Sequence, residues 1–511
     1  MSAVPDLLKI GAIPSNQQMS VETGILDPVV QNDKFVRFNM KRSGFLHSNS
    51  KLVLSLSKTG LPKSRNNEHT MFPASVGVGS LIQRVRLLSG NTTIQEIDDW
   101  SSLHAYRSMF ISQENNKERE QFTTGRLTSM DQNWDDDDSL ITTNEADPKA
   151  GAGGNLDKGL SHRSDWKADG LTLTQGTDYH SHSFTQDGLG AGNPENTANW
   201  TKLLQRFQYL ENEPTYQLSL QDLCPFLKQT QLPLFMFSEE IYLEITFADV
   251  EERVIANQTY ATNLGTGVAP VRLGQIYPQY KINPVESKLV IDYITYPNET
   301  MDAWAQANQN LSFQYYDYEL AKTTYTQGLA DKQMIRNLGG AGKVINKVIM
   351  GVQRDKSIFA SGNSLIAING FYEGRHPLKN PDRNPNDCVT TNLRYNTEFL
   401  YPIDVKNDAY HFNNVLQAEG QPPMVSRAMY SGQGLTSTAR LWEGHAQRTN
   451  LPVDYFWQTF KLNKNNRINQ KGIELYQTMK GMPNQDHTMR VWLEVVKIAQ
   501  LVDGKLETDY A

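Results

Sequence analysis

The stretch from Val76 to Trp100, VGVGSLIQRVRLLSGNTTIQEIDDW, decides between two folds. Gly77-Val78-Gly79 ahead of an apolar run looks like the start of a dinucleotide-binding turn. That motif needs G-x-G-x-x-G opening a helix, with an acidic residue about 20 positions further on. The third glycine is missing. The run from Leu81 to Leu88 is followed instead by Ser89-Gly90-Asn91 and then by Thr92 to Ile97. Strand, short glycine turn, strand is a hairpin, and the glycines serve bends.

Strand patterns continue on both sides of this hairpin. They cover Phe35 to Met40, Lys51 to Leu56, Tyr216 to Leu220, Pro233 to Phe237, Ile241 to Phe247 and Leu289 to Tyr296. Ile241, Leu243, Ile245 and Phe247 alternate with Tyr242, Glu244 and Thr246. One face of that strand belongs in a core and the other on water or a neighbour, as in antiparallel sandwiches. After Tyr296, Asn298 or Thr300 is placed to cap a short helix carrying Trp304 to the sheet. A second series follows: Leu311 to Tyr316, Lys343 to Val352, Ser364 to Asn369, Thr397 to Ile403, Phe456 to Lys461, Gly472 to Thr478 and Thr488 to Ala499. Each half ends in a long alternating strand, SKLVIDYITY in the first and MRVWLEVVKIAQLV in the second.

The fold class expected is all-β: two tandem eight-stranded antiparallel jelly rolls with long loops and short helices. The organisation expected is an N-terminal arm over 1–31, a first roll over 32–304 and a second over 305–511. Between about 130 and 200 the pattern dissolves into Gly, Asp, Asn and Ser, an excursion loop of the first roll at a surface.

Composition agrees. At 511 residues the chain exceeds a single core, so two domains are expected. Against 56 acidic residues stand 49 Lys and Arg, a net charge of −7, with no dense basic stripe; sequence-specific nucleic-acid binding is disfavoured. Cys224 and Cys388 have no C-x-x-C partner, so reduced buried thiols are expected rather than a disulfide or zinc site. The first twenty residues show no basic segment ahead of an apolar core, which gives the expectation of an intracellular protein that is soluble when made. The sequons at Asn257 and Asn298 are discounted on that ground.

Each candidate for chemistry has a simpler reading. Asp135 to Asp138 lack the spacing of a Ca²⁺ loop and read as a solvated acidic tip. His162, His180 and His182 have the residue type of metal ligands but sit in polar loop sequence. Gly339-Gly340-Ala341-Gly342-Lys343-Val344 resembles the end of a phosphate loop, but Asn337 stands where the first glycine belongs and Val344 where Ser or Thr belongs; a tight turn is expected. There is no G-x-S-x-G and no H-E-x-x-H. The aromatic clusters Phe313, Tyr315, Tyr316, Tyr318 and Tyr455, Phe456, Trp457, Phe460 read as core or subunit interface. No catalytic, cofactor or metal residue is nominated, and no enzyme activity, cofactor or small-molecule substrate is expected.

Four stretches taken together carry a resemblance: FVRFNMKRSGFLHSNSKLVLSL, VGVGSLIQRVRLLSGNTTIQEIDDW, NNKEREQF, and LPLFMFSEEIYLEITF followed by KLVIDYITYPNETMDAW. In this order they resemble double jelly-roll major capsid proteins of tailless double-stranded DNA viruses, closest to those of polinton-like viruses and virophages. The resemblance covers residues 35 to 305 best. In the second half KVINKVIMGVQ, TEFLYPIDV and VWLEVVKIAQLV sit where a second roll would place strands. It implies a homotrimer, a pseudo-hexameric capsomer of six rolls tiling an icosahedral shell, located in the virion. Neighbouring capsomers, penton and minor capsid proteins would be partners. An inner base would meet minor proteins, an internal membrane or packaged genome, with the N-terminal arm ordering on that side upon assembly.

Two other classes remain open at the level of sequence: a carbohydrate-binding or carbohydrate-cleaving jelly roll, and a trimeric receptor-binding spike. If Asp135 to Asp138 form a solvated tip, replacing all four with Ser leaves oligomer mass unchanged in light scattering, with or without Ca²⁺. Loss of the oligomer in that variant, together with Ca²⁺-dependent assembly of the parent, would reverse the reading.

Overall fold

Alternation becomes pleated sheet at most of the expected positions. The structure is a computed structural model, and it describes residues 19–57, 69–71, 76–110, 123–124, 215–229, 232–248, 255–257, 271–272, 281–325, 332–354, 389–405, 408–421, 457–462, 467–479 and 487–511. The expected excursion at 130–200, the acidic tetrad, the three histidines, Tyr455, Phe456, Cys388 and the segment 364–369 lie outside the described residues.

The first half runs β1 (Ser20–Leu26), β2 (Val30–Asn32), β3 (Phe35–Met40), β4 (Phe45–Leu46), β5 (Lys51–Ser57) and β6 (His69–Met71). It continues with β7 (Ile82–Ser89), β8 (Thr92–Asp98), helix α1 (Trp100–Ser108) and β9 (Thr215–Ser219). Two short helices, α2 (Leu220–Leu223) and α3 (Pro225–Gln229), precede β10 (Ile241–Phe247), β11 (Ile255–Asn257), β12 (Val271–Arg272) and β13 (Lys281–Thr295). Helix α4 (Asn298–Ala307) leads to the second half. There the order is β14 (Leu311–Tyr325), β15 (Lys332–Gly339), β16 (Ile345–Arg354), β17 (Val389–Tyr395), β18 (Glu398–Phe399), α5 (Asp408–Glu419), β19 (Trp457–Lys461), β20 (Ile473–Met479), β21 (His487–Val502) and β22 (Lys505–Tyr510).

Pairing shows why the two halves are one design. The first half has a sheet in the order β1-β13-β5-β9 and a second in the order β2-β3-β10-β7-β8. The second half has β14-β21-β16-β19 and β15-β20-β17-β18. Setting aside accessory strands, each half places its first, eighth, third and sixth strands in one sheet and its second, seventh, fourth and fifth in the other. That permutation is the jelly roll, so the chain is a double jelly roll. The pairings within these sheets are antiparallel. A small additional sheet, β12-β11-β6, belongs to the first half.

Each roll closes over its own apolar layer. In the first, Val36, Ile245 and Val85 lie side by side in register and all are buried. In the second, Val348, Met350, Leu393, Leu475, Leu493 and Phe460 fill the space between the sheets. Outside the first core, Arg37, Glu244, Arg86 and Glu96 form one row across four strands. The two arginines cover Glu244, leaving its side chain 4% exposed, while they themselves remain partly exposed on the outer face of the sheet.

Several expectations are corrected. Pro233 to Phe237 is not a strand: Leu234–Met236 is a 3₁₀ turn, where Pro233 has no N–H for a ladder. Of Thr397 to Ile403, only Glu398–Phe399 pairs, because Asn396 and Thr397 take positive φ and form the β17–β18 turn. Residues 20–32, mostly assigned to an arm, form β1 and β2 of the first roll. β15, β17 and β22 carry no expected strand. β15, KQMIRNLG, is a sheet edge with little apolar alternation to read. Neither Asn298 nor Thr300 caps α4; Pro297 is the flanking residue, with no side-chain cap. Trp304 does reach the roll, its ring 5.1 Å from that of Phe45.

The opening stretch is the hairpin β7–β8, preceded by a 3₁₀ turn at Gly77–Leu81. Gly90 turns it with φ +53°, and a Cβ there would meet the Glu239 carboxylate at 2.5 Å. The turn expected at 339–344 is observed, with Gly339, Gly340 and Gly342 at positive φ. Ile245→Asp is expected to abolish folding, because an unpaired carboxylate between Val36 and Val85 costs several kcal/mol. Circular dichroism and soluble yield measure it; a folded variant with a native thermal transition would contradict this core assignment.

Candidate functional site: the seam between the rolls

The acidic exit of the opening hairpin, Ile97-Asp98-Asp99-Trp100, is where the first roll meets the second. Asp99 sits between β8 and α1 with φ 48° and ψ 44°, a left-handed conformation that Asp adopts more readily than most residues. This geometry turns its carboxylate toward the second roll. There Asp99 Oδ2 accepts from Arg490 Nε on β21 at 2.9 Å and pairs with Lys322 Nζ on β14 at 2.6 Å. Burial opposes the charge on Asp99, but Arg490 and Lys322 outweigh it and hold the carboxyl below its ordinary value. Next to it, Trp492 Nε1 donates to the Asp98 carbonyl at 3.3 Å.

Further along β8, Gln95 is buried and bonded on both ends. Its Nε2 donates to the Tyr316 carbonyl of β14 at 3.0 Å, and its Oε1 accepts from Phe226 N in α3 at 3.1 Å. Tyr315 Oη donates to the Ile94 carbonyl at 2.5 Å, and its ring meets Phe226 edge-on at 4.7 Å. The edge strand of the first roll thus lies across the outer face of the second roll's β14-β21-β16-β19 sheet. Helix α1 extends the contact: Tyr106 lies 5.4 Å from the ring of Trp457, which lies 5.9 Å from Trp492. Gly351 on β16 makes room for this layer, since a Cβ there would stand 2.2 Å from the Trp457 ring.

A second polar knot binds α1, α5 and the sheet. Lys347 Nζ lies 2.6 Å from Glu419 Oε1 and 3.3 Å from Glu494 Oε2. Tyr106 Oη donates to Glu419, and Tyr318 Oη donates to Glu494 at 3.0 Å. Burial alone would pull the Lys347 ammonium down, but Glu494 and Glu419 overcome it and hold it above its usual value. Nearby, Lys497 Nζ is 2.6 Å from Asp317 Oδ2; burial nevertheless keeps the Asp317 carboxyl raised. At the far end Ser238 N donates to the Gly504 carbonyl at 2.7 Å, tying the β22 hairpin to the first roll.

The seam opens at one side into a cleft of about 610 Å³, lined by Gln83, Arg84, Asp98, Asp99, Thr246, Leu320 and Lys322. Its charges serve each other: Asp99 holds Lys322, and Arg84 reaches Glu96 at 3.4 Å. Among the described residues no group of three or more His, Cys, Asp or Glu is placed to hold a metal ion. Cys224 is buried, and desolvation pushes its thiol up to about 12, so it is an inert packing residue. Of the aromatic clusters singled out in the sequence, Tyr315, Tyr318 and Trp457 are brought together here, while Phe460 belongs to the second roll's core. Gln95, Asp99 and Arg490 carry no motif. The one signal available was β21, where Val491-Trp492-Leu493 is apolar at consecutive positions, as in a strand covered on both faces.

The fold has solved counterparts. A chain of the cryo-EM structure of the Sputnik virophage matches with a TM-score of 0.50 at 10% identity, over 98% of this chain and 90% of that one. The crystal structure of the mavirus major capsid protein gives 0.46 at 8% identity, over 98% and 91%. The Faustovirus major capsid protein gives 0.48 at 8% identity, over 96% and 93%. No family model matches the sequence. No curated protein matches it. The virophage likeness is one of fold.

Asp99→Asn keeps a side chain that tolerates the left-handed backbone but removes the charge facing Arg490, and is expected to cost ~1.5–3 kcal/mol at neutral pH. A carboxyl held low in the folded state stabilises above the ordinary carboxylate range and loses that effect as pH falls through its folded value. The difference in melting temperature between wild type and variant should therefore shrink as pH drops below about 4. A difference independent of pH would mean that the Asp99 charge does not hold the seam.

Proposed function

We propose that this chain is the major capsid protein of an icosahedral virus, and that three copies form a capsomer of six rolls with a nearly hexagonal outline. The observation that carries the reading is the fusion of two rolls of identical strand order through unlike surfaces. An edge strand and helix of one roll cover a sheet face of the other. A contact between unlike surfaces is heterologous, and repeated by a rotation that closes it generates a ring. Two like rolls per chain let a threefold ring present six similar sides, which suits one protein to tiling a shell. The fold likeness to a chain of a virus particle supports the same conclusion.

On this reading the partners are two further copies of the chain, neighbouring capsomers, and penton and minor capsid proteins. The inner base faces minor proteins, an internal membrane or packaged genome. The location is the virion shell, and the role is structural, with the chain divided near residue 304 into its two rolls. Light scattering of the purified protein is expected to give the mass of three chains, and negative-stain images a six-cornered outline. A monomer at all concentrations, or sugar binding and release by a lone chain, would overturn the proposal.

A further inference from the structure

The seam inside the chain uses four elements at defined places in the jelly-roll order. The fifth strand of the first roll, β8, and the turn after it lie against the first and eighth strands of the second, β14 and β21. Each of these has a counterpart in the other roll. The fifth strand of the second roll is β18, and the turn after it carries Ile403 ahead of α5, as the turn after β8 carries Asp99 ahead of α1. The first and eighth strands of the first roll are β1 and β13.

Both counterparts present apolar groups to the outside. On β1, Val21 is 50% and Ile25 63% exposed. They stand opposite Ile294 and Val290 of β13 in register, with Thr23 donating to Asp292 at 2.7 Å between them. These side chains share the outer face, because the intervening Leu289, Ile291 and Tyr293 are buried in the core. On the other roll Phe399 is 51% and Ile403 71% exposed. Phe399 is braced by Arg394 over its ring and by Tyr476 edge-on at 5.1 Å, so it is held outward by its neighbours. An isolated exposed apolar residue needs no explanation, but two exposed and two half-buried ones side by side on one sheet face, with two more exposed at the matching edge of the other roll, do.

We infer that the outer face of β1 and β13, formed by Val21, Ile25, Val290 and Ile294, receives the β18 edge of a second copy of this chain, with Phe399 and Ile403 as the inserted side chains. This rests on the capsomer reading and names the surfaces that join its copies. The occupant is a second copy because the two surfaces occupy the places that already dock on each other within one chain. The chemistry differs in a way that suits the two roles. Within the chain the turn after β8 offers a carboxylate to an arginine and a lysine; between copies the turn after β18 offers an isoleucine to an aliphatic face. An apolar contact of that kind leaves no unpaired buried charge on a subunit before assembly.

Ile25→Glu alters the receiving face and Ile403→Glu the inserting edge, both at exposed positions where the fold tolerates charge. Each variant alone is expected to keep the wild-type thermal transition and to weaken self-association about tenfold or more in analytical ultracentrifugation. Mixed one to one, the two variants should form a heterodimer that grows no further, since each retains the face the other lacks. Variants that remain trimers with a trimeric wild type would overturn the contact and leave the capsomer reading standing, as would a mixture that behaves as two separate monomers. A wild-type chain that is itself monomeric would overturn both.

Discussion

The structure depends on a sheet that must be covered on both sides. In β21, residues Met489 to Val496 are buried without interruption, so over this stretch the strand has no face for water. The inner face closes the second roll's own core. The outer face, with Trp492, Trp457, Ile349 and Tyr318, can be covered only by something outside that roll, and the first roll supplies the cover. Burying a large apolar side chain is worth about 1.5–3 kcal/mol, so this layer rivals the net stability of a typical domain. The second roll is therefore incomplete without the first.

Apolar burial alone would let the two rolls slide on each other, and the polar groups in the seam prevent it. Gln95 spends both ends of its amide on fixed backbone positions in two different elements. Asp99 meets Arg490 and Lys322 from a left-handed backbone. Lys347 is held by carboxylates from β21 and α5 at once. Buried hydrogen-bonded groups of this kind contribute little net stability but make any other register costly, since each displaced partner would be stranded without water. Register between the rolls sets the direction in which the outer surfaces of the chain point.

The polar groups at the seam are arranged for rigidity. The titratable side chains there are paired with each other, the cysteine is a buried thiol, and the glycines at 90 and 351 make room for Glu239 and Trp457. The same strand order used twice gives one chain two similar rolls with different chemistry: β8 and the turn after it carry Gln95 and Asp99 into the seam, while β18 and the turn after it carry the exposed Phe399 and Ile403.

Local pattern was legible in the amino-acid sequence because strand periodicity and turn chemistry are short-range: the β7–β8 hairpin, the alternation of β10, the glycine turn after β15 and the all-β class with two halves follow from neighbours along the chain. Weakly alternating edge strands such as β1 and β15 were not, since their pairing comes from strands elsewhere; β1 meets β13 across about 270 residues. The seam lay beyond sequence altogether. Asp99 and Arg490 are 391 positions apart, and nothing in either neighbourhood marks them as partners. Only the tertiary structure decided which aromatics are core and which are interface, because that depends on what covers the outer face of a sheet, and a strand's own sequence shows that both its faces are apolar without showing against what.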